Sequence, residues 1–83
     1  MAEQVKLYAI STCGWCRRTK RFLEQNKIPA EVTDVDQLEG EEKEKARAAV
    51  AEVNPRRSYP TLIIGDQVVV GYDEDRMREL LGL

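Results

Sequence analysis

Apolar and polar positions alternate from Val5 to Ile10: Val5, Leu7 and Ala9 fall on one side, Lys6 and Tyr8 on the other, and Ile10 ends the run. A period of two predicts a strand with one buried face. The period then changes. Trp15, Thr19, Phe22 and Leu23 recur at helical spacing while Arg17, Arg18, Lys20 and Arg21 fill the other face, which predicts a helix from about Gly14 to Asn26. Ser11 and Thr12 stand before it as cap-type side chains. Asn26-Lys27 closes it, and Pro29 forbids its continuation.

A shorter, weaker strand follows over Ala30 to Val35, completing a β-α-β unit whose strands are expected to pair in parallel. Gln37 to Val53 reads as the second helix. Glu39, Glu41, Glu42 and Glu44 crowd its start, where the helix dipole favours negative charge, and Ala46, Ala49, Val50 and Val53 form its narrow apolar stripe. Asn54-Pro55 stops it. Thr61 to Ile64 and Gln67 to Val70 are strands joined by Gly65-Asp66, a hairpin signal. Asp73 caps a last short helix with Met77, Leu80 and Leu81 inward. The α/β order β-α-β-α-β-β-α in one domain over residues 1–83 is the minimal thioredoxin-like arrangement, a roughly four-stranded mixed sheet flanked by helices.

At 83 residues the chain has room for one modest core. Its formal charge of -2 argues against bulk attraction to nucleic acid or to an anionic membrane. The longest apolar runs, Leu62 to Ile64 and Val68 to Val70, are far short of a membrane-spanning helix. The first residues, Met-Ala-Glu-Gln, show no basic segment followed by an apolar one, so a cytoplasmic location is the default expectation. A monomer is also expected.

The two cysteines change the picture most. They sit as Cys13-Gly14-Trp15-Cys16, where the first strand's carboxyl end meets the first helix's amino end. A bridge across two intervening residues removes little entropy from the unfolded chain, so stabilisation is a poor reason for the pair. Unpaired N–H groups and the helix dipole favour a thiolate at Cys13. Cys16, at i+3, faces the same side and lies deeper. Cys13 is therefore expected to attack a disulfide and Cys16 to resolve the mixed disulfide. Arg17, at i+4 from Cys13, and Arg18 add positive potential, and Trp15 is a candidate docking contact beside the thiols. The remaining cations, and the Glu41 to Lys45 charge run, read as solvated surface. With no histidine, a Cys–His nucleophile mechanism is excluded, and with no third cysteine a closed zinc site would need a second chain or carboxylate ligands, so no metal is expected.

Ser58-Tyr59-Pro60-Thr61 lies directly before the third strand. Proline has no N–H to give a sheet, and an X-Pro bond adopts cis at modest cost. On the residues alone, a cis proline and a trans proline opening an edge strand both stand.

Taken together, Lys6-Leu7-Tyr8, Cys13-Gly14-Trp15-Cys16, Tyr59-Pro60-Thr61 and Gly71-Tyr72-Asp73 give the chain a resemblance to the glutaredoxins along nearly its whole length. The resemblance implies a cis Pro60 packed against the thiols and a Tyr59 main chain free to hydrogen-bond an extended substrate. It implies glutathione as co-substrate, with no resident cofactor. Asp73, in the segment with Gly71, would meet the γ-glutamyl end, and Arg57, with Arg56 beside it, the carboxylates. Gly14 stands where many relatives carry proline, Ile10 where many carry lysine, and Val70-Gly71 in place of a double glycine. The expected function is a dithiol–disulfide oxidoreductase acting on protein disulfides or glutathione mixed disulfides. Two alternatives follow from the same resemblance: a donor to ribonucleotide reductase recharged by thioredoxin reductase, and a homodimer holding an iron–sulfur cluster with glutathione thiols.

Overall fold

The computed structural model describes residues 4–83, so the reading of Met1 to Glu3 as part of a leaderless start lies outside the described residues. β1 (Val5–Ala9) occupies an inner position of a four-stranded sheet, with β2 (Glu31–Asp34) parallel on one side and β3 (Thr61–Ile64) antiparallel on the other. β4 (Gln67–Val70) pairs antiparallel with β3 and completes the order β2-β1-β3-β4. The expected element order is the observed one, and it is the thioredoxin-like arrangement.

The alternation in β1 sorts the two faces. Val5, Leu7 and Ala9 are buried with Leu62, Ile64 and Val69, and they pack against Cys16, Phe22 and Leu23 of α1 (Gly14–Gln25) and Met77 of α3 (Glu74–Leu81). Lys6, Tyr8 and Ile63 point the other way, lining a groove with Ala49, Glu52 and Val53 of α2 (Gly40–Val53). No helix among the described residues is long and apolar enough to cross a membrane.

Three expectations about the helices need correction. The cap of α1 is neither Ser11 nor Thr12 but Cys13 itself, whose sulfur accepts from the Cys16 N–H. Ser11 is occupied elsewhere: its N–H and hydroxyl donate to the two carboxylate oxygens of Asp36 at 2.9 and 2.5 Å. The second helix begins at Gly40, three residues later than the charge pattern suggested. Val35–Gln37 forms a separate 3-10 turn, Leu38 and Glu39 are extended, and Gly40 enters at φ +59°, a conformation cheap only for glycine. Finally, Trp15 is not part of the buried stripe of α1; it is 57% exposed, and Cys16 takes the inward place beside Thr19, Phe22 and Leu23.

The remaining turns follow their residues. Asn26 ends α1 with its side chain on the Phe22 carbonyl, and Lys27 turns the chain at φ +55°. Gly65, at φ +61°, makes the two-residue hairpin between Ile64 and Gln67. Asp73 caps α3 by accepting from the Arg76 N–H, and Gly82 closes it in the left-handed conformation.

Leu62 is fully buried at the centre of the main cluster. Leu62→Ala is expected to cost about 2–5 kcal/mol in urea unfolding, a large share of the ~5–15 kcal/mol available to a small domain. Val32→Ala, on the half-exposed face of the edge strand β2, is expected to change stability by less than about 1 kcal/mol.

Candidate active site

β1 ends one residue before Ile10, whose carbonyl accepts the Cys13 N–H at 3.2 Å and turns the chain into α1. Cys13 is extended (φ -90°, ψ 123°), which aims its sulfur back over the first helical turn, 3.4 Å from the Cys16 N–H. Both thiols are free. Cys13 is half-buried and reachable, whereas Cys16 is fully buried.

The two sulfurs differ in acidity for identifiable reasons. Burial pushes the Cys13 thiol up, but hydrogen bonds from Cys16 and from the Trp15 N–H, with the charge of Arg17, outweigh it and hold Cys13 below the ordinary 9.0. Burial dominates at Cys16 and raises it to about 11, with the neighbouring Cys13 adding to the rise and Lys20 opposing it. A thiol at 9.0 is only about 1% ionised at pH 7, and each unit of depression multiplies that fraction about tenfold. Of the two thiols, Cys13 is the more acidic and the more accessible.

Lys20 departs from its expected place on the solvated face. It is half-buried and bonds Asp34 of β2 at 2.7 Å, tying α1 to the sheet edge. Arg17, Arg18 and Arg21 are exposed, as expected.

The Tyr59-Pro60 bond is cis. Pro60 is buried, its carbonyl accepts the Gly71 N–H at 2.9 Å, and Gly71 turns at φ +78°. That bond ties Gly71 to the cis proline, and Tyr59, Tyr72 and Cys13 all pack against the main apolar cluster. Among the described residues, no hydrogen bond engages the Tyr59 N–H or C=O. Asp73 stays exposed while it caps α3.

Two surfaces lie at this end of the sheet. On the α2 side lies a groove of about 750 Å³, lined among others by Ile10, Asp36, Lys43, Arg47, Arg57 and Tyr59. Its three cations outnumber the carboxylates of Asp36 and Glu44, and Asp36 is already engaged by Ser11. Lys43 lies within the Glu41 to Lys45 charge run that reads as plain surface, and Arg47 lies just beyond it; their spacing of four residues is the available signal. On the α1–α3 side, Trp15 stacks on Tyr72 with centroids 5.7 Å apart and planes at 25°, and the Arg18 guanidinium lies 5.3 Å from the Trp15 ring centroid. Tyr72 donates to Glu74 at 3.0 Å, and Arg78 holds Glu74 at 2.9 Å. The Trp15 signal was visible in sequence; its partner Tyr72 was not.

The asymmetry of the sulfurs has a direct readout. Alkylation of the reduced protein by iodoacetamide, followed against pH, is expected to show a half-maximum below pH 9.0 from Cys13, with the buried Cys16 unreactive over that range. Arg17→Gln should move that midpoint upward, because it removes a charge that favours the thiolate, and leave Cys16 buried and slow.

Known proteins carry the same architecture. The methanoredoxin of Methanosarcina acetivorans is similar over 99% of this chain and 87% of its own, with 38% identity and a TM-score of 0.95. A glutaredoxin-like 8.6 kDa protein encoded in a rubredoxin operon of Clostridium pasteurianum, described as uncharacterized, is 26% identical over 93% of this chain and 96% of its own length. A buckwheat glutaredoxin solved as a glutathione complex is alike in fold, at 20% identity and a TM-score of 0.75 over 96% of this chain and 77% of its own. The Glutaredoxin family model matches residues 5–69, and with Cys13 and Cys16 set at the start of α1 the chain belongs to the glutaredoxin family.

Proposed function

We propose that this protein is a dithiol–disulfide oxidoreductase that reduces protein disulfides or glutathione mixed disulfides. The observation that carries it is the pairing of an accessible Cys13, whose thiolate is held at a helix amino end, with a buried Cys16 one turn away. Family membership supports a thiol–disulfide oxidoreductase role, and the free main chain of Tyr59 supports binding of an extended substrate.

The chemistry proceeds by two exchanges. The Cys13 thiolate attacks one sulfur of the substrate disulfide; a Cys13–substrate disulfide forms and the other sulfur leaves as a thiolate, which solvent protonates. Cys16 then loses its proton and attacks the Cys13 sulfur, releasing the second substrate thiolate and leaving a Cys13–Cys16 disulfide. Its high pKa, about 11, makes Cys16 a slow free nucleophile, so attack depends on its fixed position beside Cys13. With a glutathione mixed disulfide, a second glutathione thiolate can replace Cys16 in this step. Two external thiols return the enzyme to the dithiol.

The cationic groove points to an acidic thiol as the small-molecule partner, and glutathione has that chemistry. In this reading Arg57, with Lys43 and Arg47 across the groove, receives carboxylates, Tyr59 gives main-chain hydrogen bonds, and Asp73 faces the amino end. The glutathione complex of the buckwheat relative supports the same class of partner. Trp15, backed by Tyr72, offers protein substrates an aromatic contact beside the reacting sulfur, and Arg17 adds positive charge there. The protein works as a cytoplasmic monomer in this proposal.

Cys13→Ser is expected to abolish turnover in an NADPH-coupled assay, while Cys16→Ser keeps deglutathionylation and loses reduction of protein disulfides by at least about tenfold. Wild-type disulfide reduction surviving in Cys13→Ser would overturn the assignment. Running the assay with glutathione and glutathione reductase beside thioredoxin reductase alone identifies the reductant. Turnover only with the latter would replace glutathione as the partner and favour a dedicated donor to an enzyme such as ribonucleotide reductase.

A further inference from the structure

Asn54 follows α2 and, in the sequence, marks only the place where that helix stops. In the structure it is fully buried and every polar atom it carries is used. Its Nδ2 lies 3.1 Å from the Ser58 carbonyl, 3.3 Å from the Ser58 hydroxyl and 2.9 Å from the Thr61 hydroxyl. Its Oδ1 accepts the Arg56 N–H at 3.0 Å, and its main-chain carbonyl accepts the Arg57 N–H at 2.9 Å. Thr61, also fully buried, closes the cluster by donating its hydroxyl to the Ser58 carbonyl at 2.8 Å.

These bonds converge on the short loop that carries Arg57 and Tyr59. Arg57 sits at φ +54°, a left-handed conformation that a residue with a Cβ adopts rarely, and its N–H is the one held by Asn54. Tyr59 lies between Ser58 and Pro60, so its backbone is bracketed by one residue bonded to Asn54 and one bonded to Gly71. Only an amide side chain meets both demands at position 54. Aspartate lacks the N–H donors for Ser58 and Thr61, and an apolar residue would leave the Arg56 N–H without its acceptor.

We infer that Asn54 is a positioning residue for substrate binding: through the Asn54–Ser58–Thr61 cluster it fixes where Arg57 and the free Tyr59 main chain stand, without touching the reacting sulfurs. The inference rests on the oxidoreductase reading given above for the partner that Arg57 and Tyr59 receive. The acidity of Cys13 is set by burial, by Cys16 and Trp15, and by Arg17. Binding and nucleophilicity are therefore separable at this residue.

The test uses Asn54→Ala and the nearly isosteric Thr61→Val in the full chain. With the mixed disulfide of glutathione and mercaptoethanol as substrate, Asn54→Ala is expected to raise KM about tenfold with kcat changed by less than about twofold, and Thr61→Val to raise KM by about threefold. The rate at which the reduced variants attack neutral dithiodipyridine, and its pH profile, should match wild type. A merely structural role predicts fewer active molecules, hence a lower apparent kcat at unchanged KM, and that result overturns the inference, as does a shifted pH profile. Should Asn54→Ala fail to fold, Thr61→Val decides alone, by the same rise or constancy of KM. If wild type does not turn over the glutathione substrate, the glutathione reading falls separately. The positioning role is then read from the ratio of rates with anionic dithiobis(nitrobenzoate) and neutral dithiodipyridine: a lower ratio in the variants sustains it, and an equal ratio overturns it.

Discussion

The hydrogen bonds that favour a negative charge on the Cys13 sulfur are the interaction on which the proposed chemistry of this small protein depends. The sulfur caps its own helix, so the N–H groups that every helix leaves unpaired at its amino end are directed at the nucleophile. Usually that service goes to a serine, threonine or aspartate whose only task is the cap. Here the capping atom is the accessible thiol of the pair. Burial works against the charge, and the bonds around it prevail at Cys13 but not one turn later, where Cys16 is wholly enclosed. Two identical side chains three residues apart thus shift in opposite directions, because hydrogen bonds and Arg17 outweigh burial at one and burial prevails at the other.

The rest of the molecule serves that charge by shaping what reaches it. The sheet places the carboxyl end of β1 beside the start of β3, which sets the cis Tyr59-Pro60 bond near the thiols. A cationic groove lies toward α2 and a stacked aromatic pair toward α3. The two are chemically unlike, one suited to carboxylates and the other to the apolar surface of a folded or extended chain. In the function proposed here, a small acidic thiol and a protein substrate approach one sulfur by different contacts.

Legibility in the sequence tracked the range of the interactions. Strands with clean alternation, such as Val5 to Ala9, and turns made by a specific residue, such as Gly65 or Asp73, were read correctly because their causes are local. The start of α2 was misplaced because dipole-favourable glutamates do not reveal that Val35–Gln37 forms a turn of its own, stitched to Ser11 across 25 positions. The same long-range bond made Ser11 unavailable as a cap. Cys13, Cys16 and Pro60 were legible as short motifs. Tyr72, Lys43 and Arg47 were not, since each gains meaning only from a neighbour brought by tertiary packing.

The Pro60–Gly71 hydrogen bond joins the two ends of the β3–β4 hairpin, so much of the recognition apparatus belongs to one contiguous stretch near the carboxyl end. The sulfurs belong to another, the strand and helix near the amino end. The two stretches meet along the β1–β3 seam. If the proposed function holds, residues 60–73 are a place where substrate contacts can be exchanged while Cys13, Cys16 and the helix start that holds them stay unaltered.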